Sequence, residues 1–410
     1  MKDEGRYVTR DVPPELINHR IKLLQAAMLK NNITGFLLTQ SIDIYYFSGS
    51  MQNGFLFIPS NGETSFYVKR SIGRAAEESS LLVKGLGSYR AFGELLRGDY
   101  PNLFGNALET RIAVDLDVLP AAQYLKLEEL LRVAGGCTLI DGSPIVRRIR
   151  MIKSTWEIER IEAAASVLAE SLDAALPYLK EGVTELLWMA QVEHELRKRG
   201  HMGIMRLRGY NQEIVTGMVM SGAAAAMPSY FDGPAGGLGL GSAFPQNASR
   251  MPIGRNVPIL IDLGCCIDGY IIDQTRTAVI GELSESLLKA YRLSELILRD
   301  AERSMIPGTL TSSIYSNAVE QCRAAGLSGH FMGYGADQAR FLGHGIGLEL
   351  DEWPVLANGF NEPLTPGMVI AVEPKFTFPN QGVVGIENSY AISEQGASVL
   401  TKWRQELIVL

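Results

Sequence analysis

The stretch Val257-Pro258-Ile259-Leu260-Ile261-Asp262-Leu263-Gly264, followed by Gly269-Tyr270-Ile271-Ile272-Asp273-Gln274-Thr275-Arg276-Thr277, decides how this chain is read. Two apolar runs joined by a short turn predict neighbouring strands, over Pro258 to Leu263 and Tyr270 to Ile280. Each run carries one Asp among aliphatic residues. Two carboxylates brought together in a strand pair repel unless they share a proton or a cation, so the pair points to a metal or an acid/base dyad. Asp at turn ends is also common for reasons of turn geometry alone, and the pair by itself does not choose between these readings.

Working outward, helices are expected over about 155–176 and 183–200, then a Gly/Ala/Pro-rich stretch from Ser221 to Asn256. Downstream come helices near 284–305 and 309–325 and paired strands at 368–378 and 383–393. Helices and antiparallel-looking strands grouped in this way give an α+β class rather than a doubly wound sheet. Upstream, Leu16 to Lys30 reads as a helix with Ile17, Ile21, Leu24, Met28 and Leu29 on one face. Thr34 to Leu38, Phe55 to Ile58, Glu63 to Val68 and Thr138 to Asp141 read as strands, and Leu119 to Val133 as a helix. The basic, non-periodic run Val146 to Ser154 precedes a long helix capped by Ser154 or Thr155. The domains are therefore set at 1–145, a smaller α/β unit, and 146–410.

The chain has 410 residues, with 38 Lys+Arg against 45 Asp+Glu, a formal net charge of −7. No basic run of the kind that binds a phosphate backbone is present, which argues against nucleic acid as a partner. Hydrophobic residues at 46% and charged ones at 20% are ordinary for a globular protein and exclude disordered and fibrous classes. Cys137, Cys265, Cys266 and Cys322 make no CxxC pair, so a reduced, cytoplasmic setting is expected. The polar start Met1 to Arg6 and the lack of a long apolar run predict neither an export signal nor a membrane span.

Three further residues stand in unusual company. His344 lies in Phe341-Leu342-Gly343-His344-Gly345-Ile346-Gly347, where glycines allow close approach of other groups. Glu373 sits in Met368-Val369-Ile370-Ala371-Val372-Glu373-Pro374, and Glu387 in Val383-Val384-Gly385-Ile386-Glu387-Asn388. An ionised Glu in a Val/Ile strand is costly without a cation or hydrogen-bond partners, although each could also face solvent from a half-buried strand. One nitrogen and many oxygens suit a pair of divalent ions, which together could polarise a carbonyl and activate water. Oxygen-rich coordination favours Mn, Fe, Co or Zn.

The order Asp262, Asp273, His344, Glu373, Glu387, in the strings VPILIDLG, GYIIDQTRT, GHGIGLELDE, VIAVEPKF and VVGIENSYAIS, resembles the pita-bread metallopeptidases: aminopeptidase P, prolidase and methionine aminopeptidase, with creatinase as a non-metal relative. The likeness runs over about residues 146–401. Asp43-Ile44-Tyr45-Tyr46-Phe47-Ser48-Gly49 is similar to the creatinase/prolidase-type N-terminal domain. The resemblance implies a pita-bread C-terminal domain with two divalent ions (Mn, Co, Zn or Fe): Asp262 on one, His344 and Glu373 on the other, Asp273 and Glu387 bridging. It assigns Glu373 as the proton shuttle, with His344 beside it at the catalytic centre. It also implies a homodimer and a short peptide or small amide as substrate, with an N-terminal residue removed, most often before proline.

The chain departs from that family at its substrate positions. Asp351 stands where a histidine is usual, and Ser229 ends a string, Ser221 to Ser229, that usually ends in His. Gly385-Ile386-Glu387 replaces an Arg-Ile-Glu string. The segment between Ser229 and Asp262, rich in glycine over Gly233 to Gly241, is longer than usual and reads as a surface loop or as a lid over the site. His330, Arg276 and Tyr270 are the residues that could compensate for the lost imidazoles, although His330 also suits a solvated loop and Arg276 a structural ion pair. Two alternatives follow: a metal-dependent C–N hydrolase or lyase of a small non-peptide metabolite, and a non-catalytic metal-binding scaffold.

Overall fold

Aliphatic runs upstream of residue 150 pair into one mixed sheet in the computed structural model, which describes residues 11–104, 110–214 and 216–410. Contacts divide the chain into two units, Met1–Ile149 and Arg150–Leu410. In the first unit the sheet order is Leu82–Gly85, Ser65–Val68, Gly54–Pro59, Gly35–Leu38, Arg111–Val114, Thr138–Asp141. Gly35–Leu38 runs antiparallel to Gly54–Pro59 and parallel to Arg111–Val114. Leu37, Phe57, Tyr67, Phe92 and Leu131 fill one core of this unit. The helix Pro14–Lys30 buries Ile17, Ile21, Leu24 and Met28. Leu29, expected on the same face, is 61% exposed, because one residue beyond Met28 lies about 100° further round the helix.

The basic run at 146–154, read as non-periodic, lies largely within a helix, Ser143–Met151, with Pro144 tolerated in its first turn. Ser154 then caps Thr155–Ala175 in a capping box with Glu157, whose carboxylate also accepts from Tyr270 Oη at 3.1 Å.

Two sheets dominate the second unit. In the first, Ile408–Val409, Tyr270–Val279, Pro258–Ile267 and Gly217–Ser221 lie in that order. The Pro258–Ile267 and Tyr270–Val279 strands form a hairpin whose turn is Asp268-Gly269, both at positive φ (50° and 90°), the geometry of a two-residue hairpin turn. The second sheet has the order Glu352–Ala357, Phe341–Gly345, Val369–Val372, Asn388–Ser393, Gly396–Val399. Helices Glu285–Ser304 and Thr311–Ala324 share with it a core that includes Leu298, Ile314, Leu342, Ile370, Phe376 and Tyr390. Burying these aliphatic and aromatic side chains is the main source of stability here, at roughly 1.5–3 kcal/mol each.

The long strands expected at 368–378 and 383–393 are each broken in two, giving Val369–Val372 and Lys375–Phe378, and Gly382–Gly385 and Asn388–Ser393. The first break falls at Glu373-Pro374, where proline has no N–H to continue a ladder. The second falls beside it at Ile386-Glu387. Lys375–Phe378 and Gly382–Gly385 leave the five-stranded sheet as a separate hairpin. Thr277 holds that hairpin, donating through Oγ1 to the Gly385 carbonyl at 2.7 Å and accepting from its N–H at 3.0 Å. Both site glutamates therefore sit at corners.

A buried ion network fixes the segment after His344. Arg150 Nη2 lies 2.6 Å from Glu352 and 2.9 Å from Glu349, Lys153 Nζ 3.1 Å from Glu352, and Arg208 Nη1 3.5 Å from Glu349. Burial raises the Glu352 carboxyl, but Arg150 and Lys153 outweigh it and hold it at about 2, against an ordinary 4.5. A depressed folded-state value means that this stabilisation is complete above about pH 4.5 and is lost as pH falls toward 2. Glu352→Gln leaves two buried cations underpaired and is expected to destabilise the chain by about 3–5 kcal/mol in urea unfolding at neutral pH. An unchanged midpoint would contradict this reading of the network.

Candidate metal centre

Strand register gathers the five residues picked out in the sequence. Gly264 faces Asp273 and Asp262 faces Thr275, so Asp262 and Asp273 are diagonal neighbours on one face of the hairpin. Val372 pairs with Asn388, which brings Glu373 and Glu387 side by side where their strands end. The Glu387 N–H donates to Thr275 O at 3.0 Å and the Glu373 N–H to Leu342 O at 2.9 Å, tying both corners to the ligand-bearing strands. His344 pairs with Ala371 in the adjoining strand. A Cβ on Gly343 would lie 2.1 Å from the Ala371 carbonyl oxygen, and one on Gly345 2.1 Å from that of Trp353. These two glycines permit the close strand approach that seats His344 against its neighbours.

All five side chains are buried, Glu387 at 1% exposure and the others at 5–8%. Nδ1 of His344 donates to the Gly345 carbonyl at 3.0 Å, with Asp351 Oδ1 3.4 Å away, which leaves Nε2 facing Glu373 Oε1 at 3.7 Å. Asp273, His344 and Glu387 each offer a ligand atom, all within 4.8 Å of one another, a set that can hold a metal ion. Glu387 Oε1 is buried without a hydrogen-bond partner, so this group has an acceptor left for a cation, and the donor set fits one.

A sixth residue completes the cluster. Lys375 Nζ lies 2.6 Å from Glu373 Oε2 and 3.1 Å from both Asp262 Oδ2 and Glu387 Oε2. It is 1% exposed. Sequence reasoning passed over it, although the signal was there: two residues after Glu373 in an apolar run, a lysine belongs on the same side of an extended chain.

Electrostatics follow from this packing. Burial, with Glu387 and Asp262 adding to it, pushes the Asp273 carboxyl well up. Burial also raises Asp262, against the pull of Lys375. It lifts Glu373 to about 7, again against Lys375. For Glu387 burial is outweighed by Lys375, His344 and the 2.6 Å hydrogen bond from Thr275, and its carboxyl is lowered. Burial opposes the charged form of Lys375, but Asp262, Glu373 and Glu387 raise it well above its ordinary value.

The remaining candidates lie apart from this cluster to different degrees. Asp351 lines the small cavity of about 40 Å³ at the carboxylates, together with Asp262, Asp273, His344 and Glu373. Ser229 lines a larger cavity of about 570 Å³. Phe231 to Pro234, at the start of the Gly-rich segment, belong to the walls of both, and Thr377 Oγ1 fastens that segment through the Pro234 carbonyl at 3.0 Å. His330 is stacked on Phe378, its Nδ1 2.8 Å from the Thr377 carbonyl. Arg276, fully buried, donates to the carbonyls of Glu387 (2.6 Å), Trp403 (2.8 Å), Arg404 (2.6 Å) and Thr275 (2.8 Å). Its guanidinium positions the Glu387 backbone and the segment after residue 400.

Residues 159–394 match the family model described as Metallopeptidase family M24, and residues 20–152 that of the Creatinase/Prolidase N-terminal domain. The chain belongs to metallopeptidase family M24. It is 28% identical, over 96% of its length, to a Xaa-Pro dipeptidase of Pyrococcus horikoshii and 27% identical, again over 96%, to a Xaa-Pro dipeptidase of Pyrococcus furiosus, with 100% of each relative covered. The crystal structure of the prolidase from Pyrococcus horikoshii OT3 is similar with a TM-score of 0.77 at 27% identity, over 95% of this chain and 100% of that one. The pita-bread α+β fold and the hydrolase class expected from the five residues hold for this M24 protein, and the family implies divalent metal ions. No helix among the described residues is long and apolar enough to cross a membrane.

Gly343→Ala in this M24 chain forces apart the strands that seat His344. A loss of about 1–3 kcal/mol is expected, read as a lower thermal midpoint; a midpoint equal to wild type would contradict the close-packing role of this glycine.

Proposed function

We propose that this M24 chain is a divalent-metal-dependent hydrolase that releases the N-terminal residue of short peptides, with Xaa-Pro bonds preferred. One observation carries the reading: Asp262, Asp273, His344, Glu373 and Glu387 are buried together, the first four on the wall of one small cavity and Glu387 grouped with Asp273 and His344. Two relatives named Xaa-Pro dipeptidase, each matched along its whole length, support the substrate class. Asp273, His344 and Glu387 are the side chains we assign to a metal ion, with Asp262 and Glu373 completing the centre, and Mn, Co, Zn and Fe are the candidates. Bound there, such an ion supplies Lewis-acid polarisation of a substrate carbonyl and acidifies a water molecule.

The protein's own groups do the rest. Glu373, buried on the wall of the small cavity with its Oε1 3.7 Å from His344 Nε2, is the carboxylate we assign to take a proton from water and return it to a leaving amine. Gly345 O fixes the His344 ring so that Nε2 faces the carboxylates. Asp351 and Ser229, each on the wall of one of the two cavities, are the groups we assign to substrate contact. We also propose a cytoplasmic setting, which four free cysteines suit, and a homodimer, the latter from family resemblance alone.

A second reading, hydrolysis of a C–N bond in a small non-peptide metabolite, is favoured by Asp351. An ionised carboxylate beside His344 Nδ1 accepts hydrogen bonds and cannot donate one to a peptide carbonyl. A panel of Xaa-Pro and other short peptides with Mn²⁺ or Co²⁺ separates the two. Release of the N-terminal residue, fastest before proline, is expected; silence on every peptide with turnover of an N-substituted small amide would favour the second reading. Glu373→Gln is expected to lower turnover by about 10²–10⁴-fold while metal is still bound, and wild-type turnover in this variant would remove the proton-transfer role.

A further inference from the structure

Four carboxylates converge at the centre, three of them on the wall of one small cavity, and the group also has a second face. On one side, Asp262 Oδ2, Glu373 Oε2 and Glu387 Oε2 all point at Lys375 Nζ, at 3.1, 2.6 and 3.1 Å. On the other, Asp273, His344 and Glu387 keep their ligand atoms within 4.8 Å of one another and Glu387 Oε1 has no partner. Glu387 joins the halves, one oxygen on the ammonium and the other free.

The lysine is built into this position. Its stem runs beside Gly385, its register partner across the hairpin, where a Cβ would meet Lys375 Cγ at 2.7 Å and the Pro374 carbonyl at 2.6 Å. Lys375 O accepts from the Met332 N–H at 2.8 Å, which anchors the backbone of the same residue. The ammonium occupies the space among the three oxygens that a second ion would need, and a divalent ion brought to the same oxygens would meet its charge at close range.

We infer that the Lys375 ammonium replaces one of the two metal ions, so that this chain holds a single divalent ion, on Asp273, His344 and Glu387. The inference rests on the metal-centre reading but not on the substrate, because counting ions requires no turnover. A fixed ammonium supplies one positive charge and hydrogen-bond donors where a divalent ion would supply two charges and an open coordination position, and no chelator can remove it.

Mn²⁺ is the probe. Metal-free protein is loaded with excess Mn²⁺, desalted, and counted by elemental analysis, for wild type and for Lys375→Gly, which empties the pocket beside Gly385. One Mn²⁺ per wild-type chain and a doubling to two in Lys375→Gly are expected. Two ions on wild type, or no rise in the variant, would overturn the inference. Electron paramagnetic resonance of loaded wild type tests it without any variant: the hyperfine pattern of an isolated Mn²⁺ supports a mononuclear centre, and an exchange-coupled pair contradicts it. Failure of peptide hydrolysis with one Mn²⁺ bound would remove the peptidase reading and leave the ion count standing.

Discussion

Buried like charge is the constraint on which the second unit of this protein depends. Asp262, Asp273, Glu373 and Glu387 come together inside a fold whose strands there are otherwise almost wholly buried. Carboxylates so placed cannot all ionise without compensating positive charge, because their repulsion grows as the local dielectric falls. Lys375 answers part of that demand, and Asp273, which makes no ion pair with the ammonium, is held well above its ordinary range by burial and by Glu387 and Asp262. A divalent ion on Asp273, His344 and Glu387, as proposed, would answer the rest.

The architecture serves this arrangement. A continuous hairpin carries the two aspartates, and a five-stranded sheet carries His344 at one position and ends at the two glutamates. Pro374 turns the chain out of that sheet immediately after Glu373, which lets Lys375 fold back on the carboxylate it follows by two residues. Arg276 pins the Glu387 corner from behind through backbone carbonyls. Arg150, Lys153, Arg208, Glu349 and Glu352 form a second network, three cations around two carboxylates, that holds the segment after His344. There each carboxylate has cation partners, whereas the site is left with more negative than positive charge, which is what a cation-binding centre requires.

Much of this was legible in the residues. Acidic side chains within Val/Ile strands and an imidazole between glycines are costly enough that their presence marks a site, and the strand pair at 258–280 carried the fold class. The corners were not legible, because an unbroken apolar run over 368–378 gives no sign of a change of sheet except Pro374. The Glu352–Ala357 strand was not anticipated, because Asp351, Glu352 and Pro354 are residues that strands disfavour, and only the structure shows Arg150 and Lys153 neutralising Glu352. The basic run at 146–154 looked irregular for the same reason: Arg150 is buried by charges about two hundred residues away in sequence, which no local periodicity reports. Lys375 was overlooked because a lysine in a short strand ordinarily means solvent, and only the assembled site shows three carboxylates around it.

If the residual negative charge of this centre is a cation site, an ion that binds only the folded chain must stabilise it by mass action. The direct measurement is the thermal midpoint of metal-free protein as Mn²⁺ is raised, alongside a variant, Asp273→Asn, that removes one assigned ligand and one buried charge. A midpoint that climbs with Mn²⁺ in wild type, and a much weaker response in Asp273→Asn, is the expected result. A wild-type midpoint indifferent to Mn²⁺ would contradict the claim that these buried carboxylates exist to hold a metal.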